Sequence, residues 1–204
     1  LTLQRIQKDL QKKNDQLERE ITERKKAKAV LQQYAERLRV LNEINQSILA
    51  ARSPSNVALA AVGRLRQLIP CQRVLIMNIS TSGELQMLAV ESNGLLKPID
   101  KELYHDLFDN PSLNRGLTQG SNDLQVLPQH SSFLKALCTA GVRSYLTVPL
   151  FIHDRLVGVL AFESDKPGMF AADHISIANE VAALLAVAIS QHRLYQEAQK
   201  EREK

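Results

Sequence analysis

The sequence predicts an α+β fold in which one globular domain lies between two long helices. Three observations lead to this prediction. Residues 1–50 repeat apolar side chains at helical spacing and contain neither Pro nor Gly. All seven prolines lie between positions 54 and 167, and neither Pro nor Gly follows Gly168. Between these limits, short apolar runs alternate with turn-forming residues, which is typical of strands and short helices.

The N-terminal helix carries a heptad pattern typical of a coiled coil. Most seam positions are apolar, although Lys13, Glu20 and Arg24 interrupt the seam. A straight helix of this length spans roughly 75 Å and needs a partner helix for stability. The simplest partner is a second copy, so we predict a homodimer with these interface residues in the first helix: Leu3, Leu10, Leu17, Leu31, Leu38, Leu41 and Ile48.

The net charge of +4 lies in this first helix, where 11 Lys/Arg stand against 7 Asp/Glu. Acidic residues are mixed with the basic ones and no aromatics interleave with the basic run at 24–28, so we expect a solvated helix surface and no nucleic-acid partner. No uninterrupted apolar stretch approaches roughly 18 residues, so we expect no direct membrane insertion. Cys71 and Cys138 sit in apolar surroundings, which predicts free thiols and a cytoplasmic location.

The central region predicts a helix, two strands, an irregular segment and a second, shorter helix. The first helix begins at Ser53-Pro54, because a serine before a proline is typical of a helix start. The irregular segment is polar and rich in Pro and Gly. In chain order these elements are helix 53–68, strands 73–79 and 84–91, irregular segment 94–128 and helix 131–140.

The stretch GVRSYLTVPLFIHDRLVGVLAFESD, residues 141–165, predicts two neighbouring antiparallel strands. The turn between them is predicted at His153-Asp154-Arg155. Pro149 lies within the first strand and removes one hydrogen bond of the ladder. We therefore expect a bulge or a free amide position beside it.

The last helix is predicted to begin at Asp173, whose carboxylate can cap the first turn. It is apolar nearly all round as far as Ile189 and then becomes polar, so its first half is expected in the core. Residues at 3-4 spacing complete the predicted dimer interface: Val181, Leu184, Ala188 and Tyr195. The predicted domain limits are a signalling helix at 1–50, a globular domain at 51–190 and the start of an outgoing helix at 191–204.

The sequence contains none of the short motifs that mark common enzyme chemistry. It has no GxxxxGK[ST], GxGxxG, GxSxG, HExxH or CxxC. The five histidines have no metal-ligand spacing within one element. We therefore expect no catalytic residue, no metal site and no enzyme activity.

Two stretches of the sequence resemble the GAF family. They are VRSYLTVPLFIHDRLVGVLAFESDKPGMFAADHISIANEVAALLAVAI, with its VPL…LVGVL strand pair, and LNEINQSILAARSPSNVALAAVGRLRQLIPCQRVLIMNI. EITERKKAKAVLQQYAERL is similar to the helical connectors between PAS and GAF modules in bacterial sensor kinases and cyclases, as in cyanobacterial signalling proteins. The resemblance implies a six-stranded antiparallel sheet, with helices on one face and a pocket under variable loops on the other.

The resemblance also allows two ligand classes of the family, bilins and cyclic nucleotides, to be compared with this sequence. The cofactor itself remains unknown. Bilin-binding members carry a Cys about ten residues before a Val-Arg pair, which places it near Ser132 in this sequence. Cys138 lies six residues too late, so covalent bilin attachment is not expected. Cyclic-nucleotide-binding members carry N-K…F…D-E, and the partial match keeps cyclic nucleotide as a secondary hypothesis: Asp165, Lys166, Phe170, Asp173 and His174.

Polar residues of the variable region are candidates for the pocket. Arg143 is favoured because it lies at a strand entrance, although it has an alternative role as the partner of a carboxylate. The other candidates also have simple structural explanations: the tyrosine can pack under a loop, and Arg115 and the two histidines can be solvated. The full candidate set is Arg143, Arg115, His130, Tyr104 and His105.

Three functions remain open for the chain, and one of them is a fragment of an enzyme whose catalytic parts would lie in flanking domains outside this sequence. The first is a homodimeric sensory or regulatory module, in which parallel coiled-coil helices relay a small-molecule or partner signal to an output domain outside this sequence. The second is a structural dimerisation and spacer module whose pocket binds no ligand.

Overall fold

The computed structural model describes residues 2–50, 53–80, 84–99, 101–108, 110–127 and 131–202. The chain divides into two compact units, Leu1–Asn42 and Glu43–Lys204. The helices are α1 (Thr2–Ala50), α2 (Pro54–Leu68), α3 (His105–Phe108), α4 (Ser132–Thr139) and α5 (Ala172–Arg202). The strands are β1 (Arg73–Ile79), β2 (Leu85–Ser92), β3 (Gln119–Ser121), β4 (Ser144–Ile152) and β5 (Arg155–Ser164). The α+β class and the long N-terminal helix are confirmed.

The described strands form one antiparallel sheet in the order β2-β1-β5-β4-β3. The resemblance implied six strands, whereas the described residues contain five. Between β2 and β4 the described residues form short helical turns, and among them only Gln119–Ser121 pairs with the sheet. Pro98 and Pro111 lack the amide proton that a ladder requires, and Gly116 has a left-handed φ of 75° that a strand cannot contain.

The β4–β5 hairpin turns on two residues, one fewer than the sequence suggested. His153 and Asp154 have φ angles of 43° and 60°, and the next residue already pairs across the turn. Positive φ at both central residues is typical of the type I′ turn, whose twist matches that of the flanking strands. The expected bulge is present, because the pairing register shifts between Leu150 and Phe151, one residue beyond Pro149.

Helices α2 and α5 cover one face of the sheet. The Ser53 side chain accepts a hydrogen bond from the Asn56 amide at 3.2 Å, so α2 begins where the sequence predicted. By length and composition, Ala172–Tyr195 of α5 is apolar enough to span a membrane. Its apolar residues are nevertheless used inside this unit, and they form a row of buried side chains: Ile177, Ala178, Val181, Ala182 and Leu185.

The opposite face of the sheet carries a second apolar layer. Leu75 and Met77 of β1 point to this face, because side chains alternate along a strand. They join a buried cluster with residues from the segment between β2 and β4, among them Leu113, Leu124, Phe133 and Leu137. Much of the face on which the resemblance placed a pocket is therefore packed with side chains.

Candidate functional site

A buried ion pair crosses two central strands of the sheet. Arg73 on β1 lies directly opposite Glu163 on β5, and both side chains are buried. Arg73 Nη2 contacts Glu163 Oε2. Arg73 Nη1 donates to the Lys97 carbonyl oxygen at 2.8 Å, and the Tyr104 hydroxyl donates to Glu163 Oε1 at 2.9 Å. The pair therefore ties β1 and β5 to the segment that crosses this face.

Burial dominates the protonation of this cluster. It raises the pKa of Glu163, while the Arg73 charge and the hydrogen bonds from Tyr104 and Arg73 act in the opposite direction. Burial, followed by the neighbouring Glu163 carboxylate, raises the pKa of Tyr104 far above its ordinary value. The phenol therefore keeps its proton and acts as a hydrogen-bond donor.

A cavity of about 410 Å³ opens beside the ion pair, between β1, β2 and the segment that follows β2. This volume lies within the range of about 300–1,000 Å³ that is typical of small-molecule sites. Apolar side chains form most of its wall, and Arg73 is the one charged side chain among the described lining residues. The lining residues are Arg73, Leu75, Met87, Val90, Ser92, Gly94, Leu96, Pro98, Ile99 and Tyr104.

The structure separates the predicted pocket residues. Tyr104 lines the cavity. Arg143 instead forms a two-pronged pair with Asp123, with Nε to Oδ1 at 3.0 Å and Nη2 to Oδ2 at 2.7 Å. That contact lowers the pKa of the Asp123 carboxyl and raises the pKa of the Arg143 guanidinium. Arg115 is exposed at the end of a single helical turn.

Two further candidates fall where the structure describes little. His130 lies outside the described residues, and only the backbone of His105 is described, as the first residue of α3. Sequence reasoning also missed Arg73 and Glu163, the two charged residues at the centre of the site. The available signal was a basic residue that opens one apolar strand and an acidic residue that closes another.

A second, smaller cavity of about 260 Å³ lies near β3 and the start of α5. Backbone and small polar groups such as Thr118 and Ser121 line much of it, together with Tyr145 and Phe170. Thr118 is already engaged, since its hydroxyl donates to Asn179 Oδ1 at 2.7 Å. In the part of the chain that the structure describes, no group of His, Cys, Asp and Glu side chains is arranged to hold a metal ion.

Residues 53–189 match the family model described as GAF domain, which is more than half of the chain. The chain belongs to the GAF family. A search of curated proteins finds no match to it.

Solved structures similar to this GAF domain show the same fold at low sequence identity. The phycocyanobilin-bound GAF domain from a cyanobacterial phytochrome is 20% identical, with a TM-score of 0.65 over 78% of this chain and 96% of that chain. The GAF domain of the cyanobacteriochrome TePixJ is 18% identical, with a TM-score of 0.60 over 72% and 95% of the two chains. A GAF domain from Synechocystis sp. PCC6803 in its photoproduct state is 21% identical, with a TM-score of 0.56 over 67% and 93%.

The partial cyclic-nucleotide pattern of this GAF domain has structural roles. Phe170 is buried against Phe162, with ring centroids 6.3 Å apart. The Lys166 carbonyl oxygen accepts a hydrogen bond from the Ser144 hydroxyl at 2.7 Å. His174 Nδ1 lies 3.0 Å from the Met169 carbonyl oxygen. These contacts fix the chain between β5 and α5.

The two thiols of this GAF domain are poorly suited to covalent chemistry. Burial raises the pKa of Cys71 to about 12. Burial, followed by the Asp123 charge, also raises the pKa of Cys138, which lies on α4 and packs against the second apolar layer. Since the thiolate is the nucleophile, neither cysteine has the lowered pKa of a reactive thiol.

The predicted dimer residues divide into exposed and buried sets. Val181 and Ala188 are buried within the GAF unit and Leu41 is buried as well, so these three present no surface to a second copy. Leu184 is partly exposed, and the side chain of Ile48 is not among those described. The remaining residues are exposed: Leu3, Leu10, Leu17, Leu31, Leu38 and Tyr195.

Proposed function

We propose that this GAF domain is a non-catalytic sensory or regulatory module of a larger cytoplasmic signalling protein, such as a sensor histidine kinase or a cyclase. It functions as a homodimer with parallel helices and passes the state of its cavity to a neighbouring output domain. The fold supports a sensory role, because similar structures are described as a phycocyanobilin-bound GAF domain and as a photoproduct state.

The apolar seam of α1 is the observation that carries this proposal. Five leucines at seven-residue multiples lie on one side of the helix, and they are from 55% to 84% exposed: Leu3, Leu10, Leu17, Leu31 and Leu38. A row of exposed leucines this long costs free energy in water, and a matching row on a second copy removes that cost.

Helix α5 presents a second apolar row on the side away from its buried residues. Val187 is 50% exposed and Leu194 is 59% exposed, seven residues further along the helix. Ala183 and Ala198 extend the same exposed surface, whereas the exposed Tyr195 lies on the helix side of Ala188, beyond the buried part of α5. We assign the α5 part of the dimer interface to this row, which replaces Val181 and Ala188.

Contacts within the GAF unit provide a route from the cavity to both helices. Arg73 lines the cavity and pairs with Glu163 on β5, β5 pairs with β4, and β4 packs against α5. On the other side, Arg66 of α2 pairs with Glu91 of β2 at 2.8 Å, and Arg64 of α2 lies 3.5 Å from Glu43 of α1. In this proposal α1 and α5 adopt two arrangements in the dimer. A ligand that favours the contacts of one arrangement increases the population of that arrangement.

The ligand is proposed to be held without a covalent bond. The similar structures include bilin-bound domains, yet the raised thiol pKa values described above offer no activated cysteine in this chain. In the cyclic-nucleotide pattern, the Phe170 ring packs against Phe162 in the core. We therefore propose a small molecule in the cavity beside Arg73.

The spacer function keeps one observation in its favour. The second apolar layer fills much of the face on which GAF pockets were expected, with Leu113 and Leu137 fully buried there. If this layer left no room for a ligand, the module would only hold its neighbours in register. The cavity beside Arg73 favours the sensory function over this alternative.

The dimer is tested by charging the α1 seam. We expect the wild-type chain to sediment as a dimer and the Leu10→Asp/Leu31→Asp variant to sediment as a monomer, because paired seam positions would bury like charges against each other. Gln11→Asp/Gln32→Asp is the matched control, since each position lies one residue beyond a seam leucine and faces away from the seam.

Sedimentation velocity at micromolar concentration distinguishes the outcomes. The control variant should remain dimeric, and circular dichroism should show an intact GAF domain in all three proteins. A monomeric wild type, or equal dissociation of both variants, would contradict the assignment of the interface.

A further inference from the structure

We infer that Asn93 is a site of covalent modification, at which the side-chain amide is converted spontaneously into a carboxylate through a cyclic imide formed with Gly94. This inference goes beyond the proposed sensory function and does not depend on dimerisation or on a ligand. It follows from one pair of residues in the sequence, from two hydrogen bonds and from the exposure of the segment that follows β2.

Asn93 is the only asparagine in the chain that is followed by glycine. Closure of the imide joins the side chain of an asparagine to the backbone nitrogen of the next residue, so a side chain on that next residue hinders the reaction. Glycine has no side chain, and its backbone adopts angles that other residues rarely reach. Ring closure therefore meets less steric resistance at Asn93 than at any other asparagine of this sequence.

Two hydrogen bonds arrange the reacting groups. The Leu95 amide donates to Asn93 Oδ1 at 3.1 Å, which folds the side chain back toward the Gly94 peptide and draws electrons from Cγ, the atom that is attacked. The Gly94 amide donates to the Ser92 hydroxyl oxygen at 3.2 Å. An acceptor is therefore in place for the proton that the attacking nitrogen must lose.

The segment has room for the reaction. Ser92, Asn93, Gly94 and Leu95 are all exposed, so water reaches the imide. Apart from the chain neighbours of Gly94, no described heavy atom lies within 4 Å of the position that a Cβ atom would occupy there. The ring can therefore close without displacing a packed side chain.

The reaction balances with water as the only added reactant. The Gly94 nitrogen forms a bond to Asn93 Cγ, the bond between Cγ and Nδ2 breaks, and ammonia leaves with the proton of the Gly94 amide. Water then opens the imide at one of its two carbonyl carbons. Attack at Cγ gives aspartate, whereas attack at the backbone carbonyl carbon gives isoaspartate, in which the main chain runs through the side chain.

The modification changes the wall of the cavity beside Arg73. Ser92 and Gly94, on either side of Asn93, belong to the lining. Isoaspartate adds one methylene group to the main chain between the Cα atom of residue 93 and the Gly94 nitrogen, and it adds a carboxylate beside the wall. The Asn93 amide donates to the Gln72 carbonyl oxygen at 3.0 Å, so the added length should move Gly94 rather than β2.

Ageing of the full chain in mildly alkaline buffer at physiological temperature tests the inference. Peptide mass spectrometry with chromatographic separation measures the amide, aspartate and isoaspartate forms of residue 93. We expect loss of the Asn93 amide and formation of both products, because direct hydrolysis of the side chain would give aspartate alone. Asn114 is the internal control, since it is also exposed but is followed by arginine, and it should keep its amide.

Two variants separate the contributions of the neighbouring residues. Gly94→Ala places a methyl group beside the attacking nitrogen, and Ser92→Ala removes the acceptor of its proton. Both variants should lose the amide several times more slowly than the wild type. The effect on the cavity is measured with carbon-13 at the methionine methyl groups: ageing should shift the signal of Met87, which lines the cavity, and leave that of Met169 unchanged.

Four results would overturn the assignment: a retained Asn93 amide, aspartate without isoaspartate, equal loss at Asn93 and Asn114, or equal rates in the wild type and Ser92→Ala. The Ser92→Ala comparison remains valid if Gly94→Ala does not fold. An unshifted Met87 signal in the modified chain would contradict the effect on the cavity wall. All of these outcomes are independent of the sedimentation results, so the modification and the relay fail separately.

Discussion

Replacement of Arg73 by methionine is expected to lower the free energy of unfolding by about 3–5 kcal/mol. The loss arises chiefly because Glu163 would remain buried without its cation. Glu163 is 1% exposed, and its Oε1 atom would keep only the hydrogen bond from Tyr104. Urea denaturation followed by circular dichroism measures the change, with the wild-type chain as the reference.

The Arg73→Met/Glu163→Met double variant is the control for this prediction. It removes both charges and leaves apolar side chains of similar length, so we expect it to be close to the wild type in stability and clearly above Arg73→Met. A double variant as unstable as the single one would mean that the Arg73 bond to Lys97 carries the effect rather than the ion pair.

The Arg73–Glu163 ion pair also makes the free energy of unfolding depend on pH. Since the pKa of Glu163 is raised in the folded state, its protonated form favours folding. Protonated Glu163 therefore adds to the free energy of unfolding. This addition is complete below the pKa of Glu163 in the unfolded chain, about 4.5, and it is lost as pH rises through the higher pKa of Glu163 in the folded chain. The double variant should lack this component.

Replacement of Gly158 by alanine is expected to lower the free energy of unfolding by about 3 kcal/mol. Gly158 lies between β1 and β4 at the centre of the sheet, opposite Asn78 and Leu150. A Cβ atom there would overlap the Met77 carbonyl oxygen and would lie 3.1 Å from the Asn78 Cα atom. Both atoms belong to the backbone of β1, so they cannot move aside without disturbing the ladder.

Gly63→Ala is the matched control, because it adds the same methyl group to the same unit. A Cβ atom at Gly63 would meet only the Glu91 carboxylate, at 3.3 Å. That side chain is flexible, and alanine is favoured over glycine in a helix interior by about 1 kcal/mol. We expect the stability of this variant to be unchanged or slightly raised. Thermal unfolding of both variants would contradict the account if Gly158→Ala were the more stable of the two.

The elements of the fold could be predicted because their signals are local. The heptad of α1, the Ser53-Pro54 start of α2 and the apolar runs of β1 and β5 each lie within a short window of sequence. Pro149 also predicted the irregular strand pairing that the structure shows close to it. Such patterns arise from side-chain periodicity and from backbone chemistry, which do not require knowledge of distant residues.

The site could not be predicted in the same way, because it depends on register between distant strands. Arg73 and Glu163 meet only when β1 and β5 pair with one particular alignment. Arg143 was favoured at a strand entrance, but the fold brings Asp123 within 3.0 Å of it. Tyr104 was named within an irregular segment, although nothing local indicated that its hydroxyl would reach Glu163.

The exposed apolar row of α5 illustrates a second limit of sequence reasoning. The helix is apolar nearly all round in its first half, so its periodicity did not show which side faces the sheet. Val181 and Val187 are equally compatible with an apolar helix surface in the sequence. In the structure Val181 is buried against the sheet, whereas Val187 is 50% exposed. Only packing within the unit separates the core row from the row available to a partner.

Cysteine cross-linking along α1 is the most direct test of the central claim, which is that two copies of α1 pair in parallel and transmit the signal. In a chain with Cys71→Ser and Cys138→Ser, the Leu10→Cys and Leu38→Cys variants each carry one thiol at a seam position. A parallel homodimer places identical seam residues side by side across the interface, so that two seam thiols can meet, whereas thiols at positions facing away from the seam cannot. We predict that each variant forms a covalent dimer on mild oxidation, whereas Gln11→Cys does not. Failure of both seam variants to cross-link, or cross-linking only when the Leu10→Cys and Leu38→Cys chains are mixed, would contradict the parallel relay.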